Sequence, residues 1–274
     1  MAKKKSRNSF PHLIGVIHLL PLAGAPRGYG VHPAELLSHA AERAITEAGV
    51  LEKAGFEGLI LENFGDIPFY KSEVPPETVA SLSVIATAVR ESVKIPVGIN
   101  VLRNDACAAL AIAAVTGCDF IRVNVLSGVV ATDQGMIEGC AAELMREKNR
   151  LGAEVAVLAD AHVKHGKILS SKSLSQNIED IALRALADGV IITGNKTGEL
   201  TDLDRLLEAH QKCKELGVPL WVGSGVNPRN VSIVKSRSDG IIVGSALRKG
   251  WRAGASLELK RVKEFIQAYS KKKK

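Results

Sequence analysis

Two stretches of this chain, Pro219-Leu-Trp-Val-Gly-Ser-Gly225 and Asp239-Gly-Ile-Ile-Val-Gly-Ser245, each run from a short apolar strand directly into Gly-Ser. In a (β/α)8 barrel, the loops after strands 7 and 8 frequently bind phosphate through backbone N–H groups. Glycine suits such loops because a Cβ would keep the backbone from approaching the anion closely. The two stretches therefore predict a barrel with a phosphate-binding site at Gly223, Ser224, Gly225, Gly244 and Ser245.

The rest of the chain repeats the same strand-then-helix order. The apolar runs are nearly continuous, which is typical of parallel strands that are covered on both faces. The predicted strands are 12–19, 58–63, 96–102, 119–124, 154–160, 189–194, 219–224 and 239–244. The predicted helices are 34–54, 77–93, 105–117, 136–151, 175–187, 202–215, 228–235 and 254–269.

The ends of several predicted helices carry recognisable capping residues. Asp105, Asp202 and Asn227 suit the N-cap position, and Asn227 is followed by proline. Four glycines follow helix ends as C-caps would, namely Gly55, Gly117, Gly152 and Gly217. Eight such units predict one α/β domain, a single (β/α)8 TIM barrel with a closed parallel sheet. A doubly wound open sheet is the alternative, but the chain lacks a Gly-x-Gly-x-x-Gly turn after strand 1.

Composition agrees with one large domain whose ends are basic. The chain has 274 residues, of which 46% are hydrophobic, and a formal net charge of +7. Four basic residues precede residue 8 and four follow residue 270, which leaves 28 basic against 29 acidic residues in the body. We therefore predict a basic disordered tail at 1–10, the barrel at 11–270 and a basic tail at 271–274. The tails are either solvated termini or arms for an anionic surface.

Other function classes find little support in the sequence. The body lacks the interleaved basic and aromatic residues of a nucleic-acid surface. No apolar run is long enough to span a bilayer, and no secretory signal begins the chain. The four cysteines lack metal-ligand spacing, so we expect buried reduced thiols in a cytoplasmic protein. We also expect a homo-oligomer.

Polar side chains end the first six predicted strands, where the catalytic groups of such barrels lie. Carboxylate, imidazole and ammonium groups occur together at 160–165, which suits acid–base chemistry. We take Glu62, Asp160, Lys164 and His165 as catalytic candidates. The candidates for substrate binding are His18, Asn63, Asn100, Arg122, Asn124 and Thr193.

Each assignment has an alternative. Arg122 and Glu62 would also be explained by pairing within the barrel, since buried charges need partners. The two asparagines suit hydroxyl or carbonyl groups of a ligand, or are satisfied structural amides. A divalent metal on Glu62, Asp160, His162 and His165 is a further alternative, although no cofactor follows from the sequence. Segments 21–30, 66–76 and 127–135 are either lids over the barrel mouth or ordinary loops.

Several of these segments resemble the BtpA/SgcQ family in order along the chain. They include His12-Leu-Ile-Gly-Val-Ile-His-Leu-Leu-Pro-Leu22, Glu62-Asn-Phe-Gly-Asp66, Ile121-Arg-Val-Asn124, Thr132-Asp-Gln-Gly135 and Gly223-Ser-Gly225. The resemblance implies a TIM-barrel-like fold. It also implies a link to photosystem I biogenesis at a membrane, because the family takes its name from a cyanobacterial factor with that role.

The sequence and the resemblance together are compatible with three functions. The first is an enzyme, a lyase, isomerase or hydrolase, that acts on a small phosphorylated metabolite such as a sugar phosphate or nucleotide. The alternative is a non-catalytic assembly factor that reaches a membrane peripherally through its lysine tails, and a ligand-binding regulator is a third reading. We expect a cytoplasmic location for the first and a peripheral membrane location for the alternative.

Overall fold

The computed structural model describes residues 10–162, 166–169, 172–194 and 202–271. Residues 1–9 and 272–274 of the predicted tails lie outside these residues, as do two of the catalytic candidates, Lys164 and His165. The described strands are β1 (Leu13–His18), β2 (Gly58–Glu62), β3 (Val97–Asn100), β4 (Phe120–Val123), β5 (Val129–Thr132), β6 (Gly135–Glu138), β7 (Ala156–His162), β8 (Gly166–Ile168), β9 (Gly189–Ile192), β10 (Leu220–Val222) and β11 (Gly240–Val243).

Eight of these strands close a parallel barrel in the order β1-β11-β10-β9-β7-β4-β3-β2. Each of the eight overlaps one predicted strand, so the predicted (β/α)8 barrel is confirmed. The helices that cover it are α1 (Pro33–Ala54), α2 (Pro76–Ser92), α3 (Ala106–Thr116), α4 (Ala141–Leu151), α5 (Leu174–Glu179), α6 (Leu203–Leu216), α7 (Val231–Lys235) and α8 (Leu259–Ser270).

A small antiparallel sheet, which the sequence analysis missed, follows β4. It has the strand order β6-β5-β8. Most of segment 127–135, where a lid or loop was predicted, belongs to this sheet. Thr132 pairs with Gly135 across a two-residue turn, and Gly135 adopts a φ of +96°. The predicted helix 136–151 is wrong at its start because residues to Glu138 belong to β6. Val125, which follows β4, packs against three apolar side chains of this sheet, Val130, Ile137 and Ile168.

Three other helices are shorter than predicted. The predicted helix 175–187 is an α-helix only to Glu179 and continues as a π-helix, Asp180–Arg184. The predicted helix 228–235 begins at Val231 because Asn227 forms a turn, in which its Oδ1 accepts from Arg229 N and its N–H donates to Asn230 Oδ1. The predicted helix 254–269 is α8, which begins at Leu259. The N-caps Asp105 and Asp202 and the four C-cap glycines are confirmed.

An apolar layer fills the lower interior of the barrel, and we call it the barrel floor. Its two largest fully buried side chains are Phe120 and Trp221, and a Cβ on Gly98 would lie 2.3 Å from the Phe120 ring. Phe10, assigned to the tail from sequence, packs edge-on against Trp221 at 5.4 Å and belongs to the barrel. The floor consists of Phe10, Ile14, Val16, Ile60, Phe120, Ala156, Leu158, Ile191, Trp221 and Ile242.

The barrel floor decides where the polar residues point. Alternate residues of a strand face the same side, so the residue two positions after a floor residue also faces the barrel interior. His18 follows Val16 in this way, and Glu62 follows Ile60. Arg122 follows Phe120, and Asp160 follows Leu158. These side chains, with Asn100 and Asn124, form a buried polar layer at the C-terminal end of the barrel.

Candidate functional site

The polar layer begins with three residues in a row across neighbouring strands. The strand register pairs His18 with Glu62 and Glu62 with Asn100. Neighbouring strands lie about 4.8 Å apart, so the three side chains are adjacent. His18 Nε2 lies 3.8 Å from Glu62 Oε2, and its ring packs against Phe64 at 4.7 Å.

Arg122 compensates the two buried carboxylates of the layer. Its Nε and Nη2 each donate to one oxygen of Asp160 at 3.1 Å, and Nη1 donates to Glu62 Oε1 at 3.3 Å. Burial alone would lower the pKa of this guanidinium, but Asp160 and Glu62 raise the pKa above its ordinary value. The pairing considered in the sequence analysis is therefore present, with Asp160 as the main partner.

Asp160 accepts more hydrogen bonds from the polar layer than Glu62 does. Its side chain is fully buried, and Oδ2 also accepts from Asn124 Nδ2 at 2.7 Å. Asn124 Oδ1 in turn accepts from Asn100 Nδ2 at 3.2 Å. Glu62 accepts from Arg122 through Oε1, and its other oxygen, Oε2, lies 3.8 Å from His18 Nε2. Within the described residues, Glu62 is therefore the carboxylate better arranged to exchange a proton with a ligand.

One cavity at the barrel mouth brings most of the predicted site residues together. His18, Glu62, Asn100, Arg122 and Asn124 line it from the strands. The Gly-Ser loops line it from the opposite sector through Gly223, Ser224, Gly225, Gly244 and Ser245. The two loops that the sequence analysis chose for phosphate therefore border the same space as the polar layer.

Glycine is favoured at the different positions of these loops for different structural reasons. A Cβ on Gly223 would lie 2.6 Å from Ile191 Cγ2, and one on Gly244 would lie 3.0 Å from His18 Cε1. Protein neighbours therefore favour glycine at both positions, and more strongly at Gly223. Gly225 has a φ of +75°, which favours glycine for conformational reasons. Ser224 Oγ accepts a hydrogen bond from Gly194 N at 3.0 Å, so its own proton is left to donate.

Among the predicted site residues that the structure describes, three do not line this cavity. Asp160 borders a smaller one beneath the antiparallel sheet. Asn63 ties two loops together, because its Oδ1 accepts from Leu102 N at 2.7 Å and its Nδ2 donates to Asp66. Thr193 is buried at the end of β9 beside Gly223.

The cavity also has lining residues that the sequence analysis did not select. Arg103 follows β3, and its N–H donates to Tyr70 O at 3.0 Å. Burial is the main cause that lowers the pKa of Arg103, which the charge of Asp160 opposes. Phe64 and Phe69 supply an apolar wall from the loop after β2, so segment 66–76 does reach the mouth. Arg103 ends an apolar run as the selected residues do, so its position was a usable signal.

The remaining ionisable groups include the candidate metal ligands and the cysteines. In the described part of the chain, no three His, Cys, Asp or Glu side chains are grouped to hold a metal ion. The metal alternative also involves the side chains of His162 and His165, which lie outside the described ones. Cys118 and Cys213 are buried as expected, whereas Cys107 and Cys140 are half-buried. Burial raises the pKa of Cys107 to about 11 and that of Cys140 to about 12. In the same described ranges, no helix has the length and apolar character needed to cross a membrane.

Comparison with known proteins agrees with this architecture. The BtpA family model matches residues 10–271. The photosystem I biogenesis protein BtpA of Synechocystis is 43% identical over 93% of this chain and 87% of its own. An uncharacterised protein of Pyrococcus abyssi is 47% identical over 91% of this chain and 92% of its own. This chain therefore belongs to the BtpA family.

Solved structures share the fold at low sequence identity. A 3-hexulose-6-phosphate synthase superposes with a TM-score of 0.57 at 16% identity, covering 94% of this chain and 100% of that one. A phosphoribosyl anthranilate isomerase from Thermus thermophilus superposes with a TM-score of 0.55 at 10% identity, covering 93% and 97%. Likeness at such identities shows the barrel fold alone.

Proposed function

We propose that this BtpA-family barrel binds a small phosphorylated metabolite at its C-terminal mouth and that Glu62 exchanges a proton with it. One observation carries the proposal: Glu62 and both Gly-Ser loops line a single cavity. Isomerases, lyases and hydrolases all use proton transfer of this kind, and the described residues do not favour one of the three.

The phosphate group would be held by the loops after β10 and β11. These loops carry no charged side chain between 223 and 226 or at 244 and 245, and backbone N–H groups bind phosphate without one. The Ser224 hydroxyl adds a donor. Support by analogy comes from the names of the two structural neighbours, a hexulose-phosphate synthase and a phosphoribosyl anthranilate isomerase.

The other polar residues divide into two roles in this proposal. Glu62 is the catalytic base, with His18 beside it. Arg122, Asn124 and Asp160 are positioning residues, because Arg122 and Asn124 both donate hydrogen bonds to the carboxylate of Asp160. Lys164 and His165 are proposed as catalytic groups from the sequence alone. Thr193 is proposed as a substrate-binding group on the same basis.

The alternative function is the assembly or stability factor. The observation that favours it is the 43% identity to the Synechocystis protein, whose name assigns it to photosystem I biogenesis. In that reading the barrel binds a ligand without turnover, and the lysine tails attract it to an anionic membrane by about 1 kcal/mol per basic residue near the surface. Deleting both tails would then abolish vesicle binding and leave ligand binding unchanged.

A thermal-shift screen against inorganic phosphate, sugar phosphates and nucleotides tests the binding site. A compound at 100 times its Kd stabilises the protein by about 2.7 kcal/mol. We expect a stabilising phosphorylated compound whose effect is lost in Gly225→Asp and in Ser245→Asp. Each variant introduces a carboxylate that repels phosphate, and two variants guard against a folding defect in one. A folded protein that no phosphorylated compound stabilises would contradict the proposal and favour the assembly factor.

The role of Glu62 is tested with the stabilising compound in D2O. We expect the wild type to exchange a carbon-bound hydrogen of the compound for deuterium, measured by NMR. Glu62→Gln should keep the thermal shift and lose at least about 100-fold in exchange rate, the usual contribution of a general base. Glu91→Gln, an exposed substitution on α2, is the matched control. Unchanged exchange in Glu62→Gln would remove Glu62 from the chemistry.

A further inference from the structure

Asn100 is a buried amide whose orientation its neighbours determine. Its Nδ2 donates to the Arg122 carbonyl oxygen at 2.9 Å and to Asn124 Oδ1 at 3.2 Å. A backbone carbonyl oxygen only accepts, so the nitrogen of the Asn100 amide must face it. The oxygen, Oδ1, therefore points to the other side.

The next amide confirms the direction of this chain of hydrogen bonds. Asn124 Nδ2 donates to Asp160 Oδ2 at 2.7 Å, and Asp160 is held as a carboxylate by Arg122. Asn124 Oδ1 is therefore the atom that faces Asn100. The donors run in one direction, from Asn100 to Asn124 to Asp160. Both ends of the Asn124 amide have protein partners, which makes it the satisfied structural amide that the sequence analysis allowed.

Asn100 Oδ1 is the unmatched end of this chain. The atom is buried, the residue is 1% exposed, and no donor among the described residues reaches the oxygen. A buried acceptor without a partner costs about 1–3 kcal/mol. Asn100 lines the mouth cavity, so a donor group of a ligand in that cavity could complete the hydrogen bonding of Oδ1.

Three features restrict the chemical group that a ligand can place beside Asn100 Oδ1. Oδ1 accepts and cannot donate, so a carbonyl or carboxylate oxygen would be repelled. The carboxylate of Glu62, on the paired position of the next strand, adds to this repulsion. Arg122 spends three of its five N–H groups on Asp160 and Glu62, and its positive charge is balanced by these two carboxylates. The complementary group is a neutral donor, and a hydroxyl is the one that phosphorylated metabolites carry most commonly beside a reactive carbon.

We propose that Asn100 Oδ1 accepts a hydrogen bond from a ligand hydroxyl, and that the substrate class is a phosphorylated sugar or polyol. Because Asn100 and Glu62 are neighbours across β2 and β3, the hydroxyl lies next to the carbon on which Glu62 acts. Phosphorylated carboxylic acids are disfavoured at this side of the cavity. The inference rests on the proposed function, since the Gly-Ser loops must hold the phosphate group.

The test compares two phosphate esters of equal chain length by calorimetry, sn-glycerol 3-phosphate and n-propyl phosphate, with inorganic phosphate as a third probe. The wild type should bind the glycerol ester at least about tenfold more tightly, which corresponds to 1.4 kcal/mol. Asn100→Ala should reduce the ratio to near one and leave the affinity for inorganic phosphate unchanged. Asn149→Ala, an exposed substitution on α4, is the matched control and should keep the ratio.

The outcomes separate this inference from the proposed function. If inorganic phosphate binds but the wild type does not distinguish the two esters, the hydroxyl contact is overturned while the phosphate site stands. A preference that persists in Asn100→Ala overturns the role of Asn100. If none of the three probes binds, the phosphate site fails and this inference fails with it. The wild-type ratio needs no variant, so a folding defect in Asn100→Ala does not block the test.

Discussion

The barrel floor and the polar layer are two residues apart along the same strands, and they differ in nearly every physical respect. Phe120 and Trp221 fill the floor, where a single added Cβ on Gly98 would meet a ring at 2.3 Å. Above it, Arg122 joins two carboxylates. The floor gains stability from apolar burial, whereas a buried ion pair is retained at a desolvation cost. The comparison indicates that the floor maintains the fold and the polar layer maintains the site.

The largest effect is expected in the polar layer, from Arg122→Met. Removing one partner of a buried ion pair costs about 3–5 kcal/mol, since the other charges stay buried without compensation. Urea unfolding at pH 7 would measure this loss of unfolding free energy. A loss no larger than that of an exposed substitution would contradict the charge argument.

A similar stability loss is expected in the floor, from Trp221→Ala. Removing a buried tryptophan costs about 3–5 kcal/mol, and this one also donates to Pro11 O at 3.1 Å. The exposed Trp251, which packs on Arg261, is the matched control and should cost less than about 1 kcal/mol as alanine. Comparable losses from the two tryptophans would argue against the floor as the main source of stability.

The smallest effects come from one substitution made in both layers, glycine to alanine. Gly98→Ala should cost about 1–3 kcal/mol, because it overpacks the floor. Gly244→Ala meets the His18 ring at 3.0 Å, so it should displace that side chain and weaken phosphate-ester binding with little change in stability. Gly49→Ala in α1, where a Cβ meets nothing within 4 Å, is the control and should stabilise by about 0.5–1 kcal/mol. Identical stability losses at Gly98 and Gly244 would contradict the division between the layers.

Local pattern was enough to predict the barrel. A buried parallel strand reads as a continuous apolar run, and a polar residue at its end marks the mouth. The same rule applied to Val16 and His18 or to Phe120 and Arg122 would have predicted which side chains face inward. It failed for the antiparallel sheet, because β5, β6 and β8 are partly exposed and lack the buried, continuous apolar pattern, and β8 lies about 30 residues after β6 in sequence. Helix and strand patterns also compete in the amphipathic segment that begins at 136.

The amino-acid sequence was sufficient to predict the eight strands, the polar residues at their ends and the two Gly-Ser loops. Those features depend on residue type and spacing within a few positions. The hydrogen-bond partners of the polar groups, in contrast, became known only from the folded arrangement of the strands. Asn100 and Asn124 look alike in the sequence, yet one amide is satisfied at both ends and the other keeps an unpaired oxygen. The reason is that hydrogen-bond direction depends on partners from β4 and β7, 22 to 36 residues away.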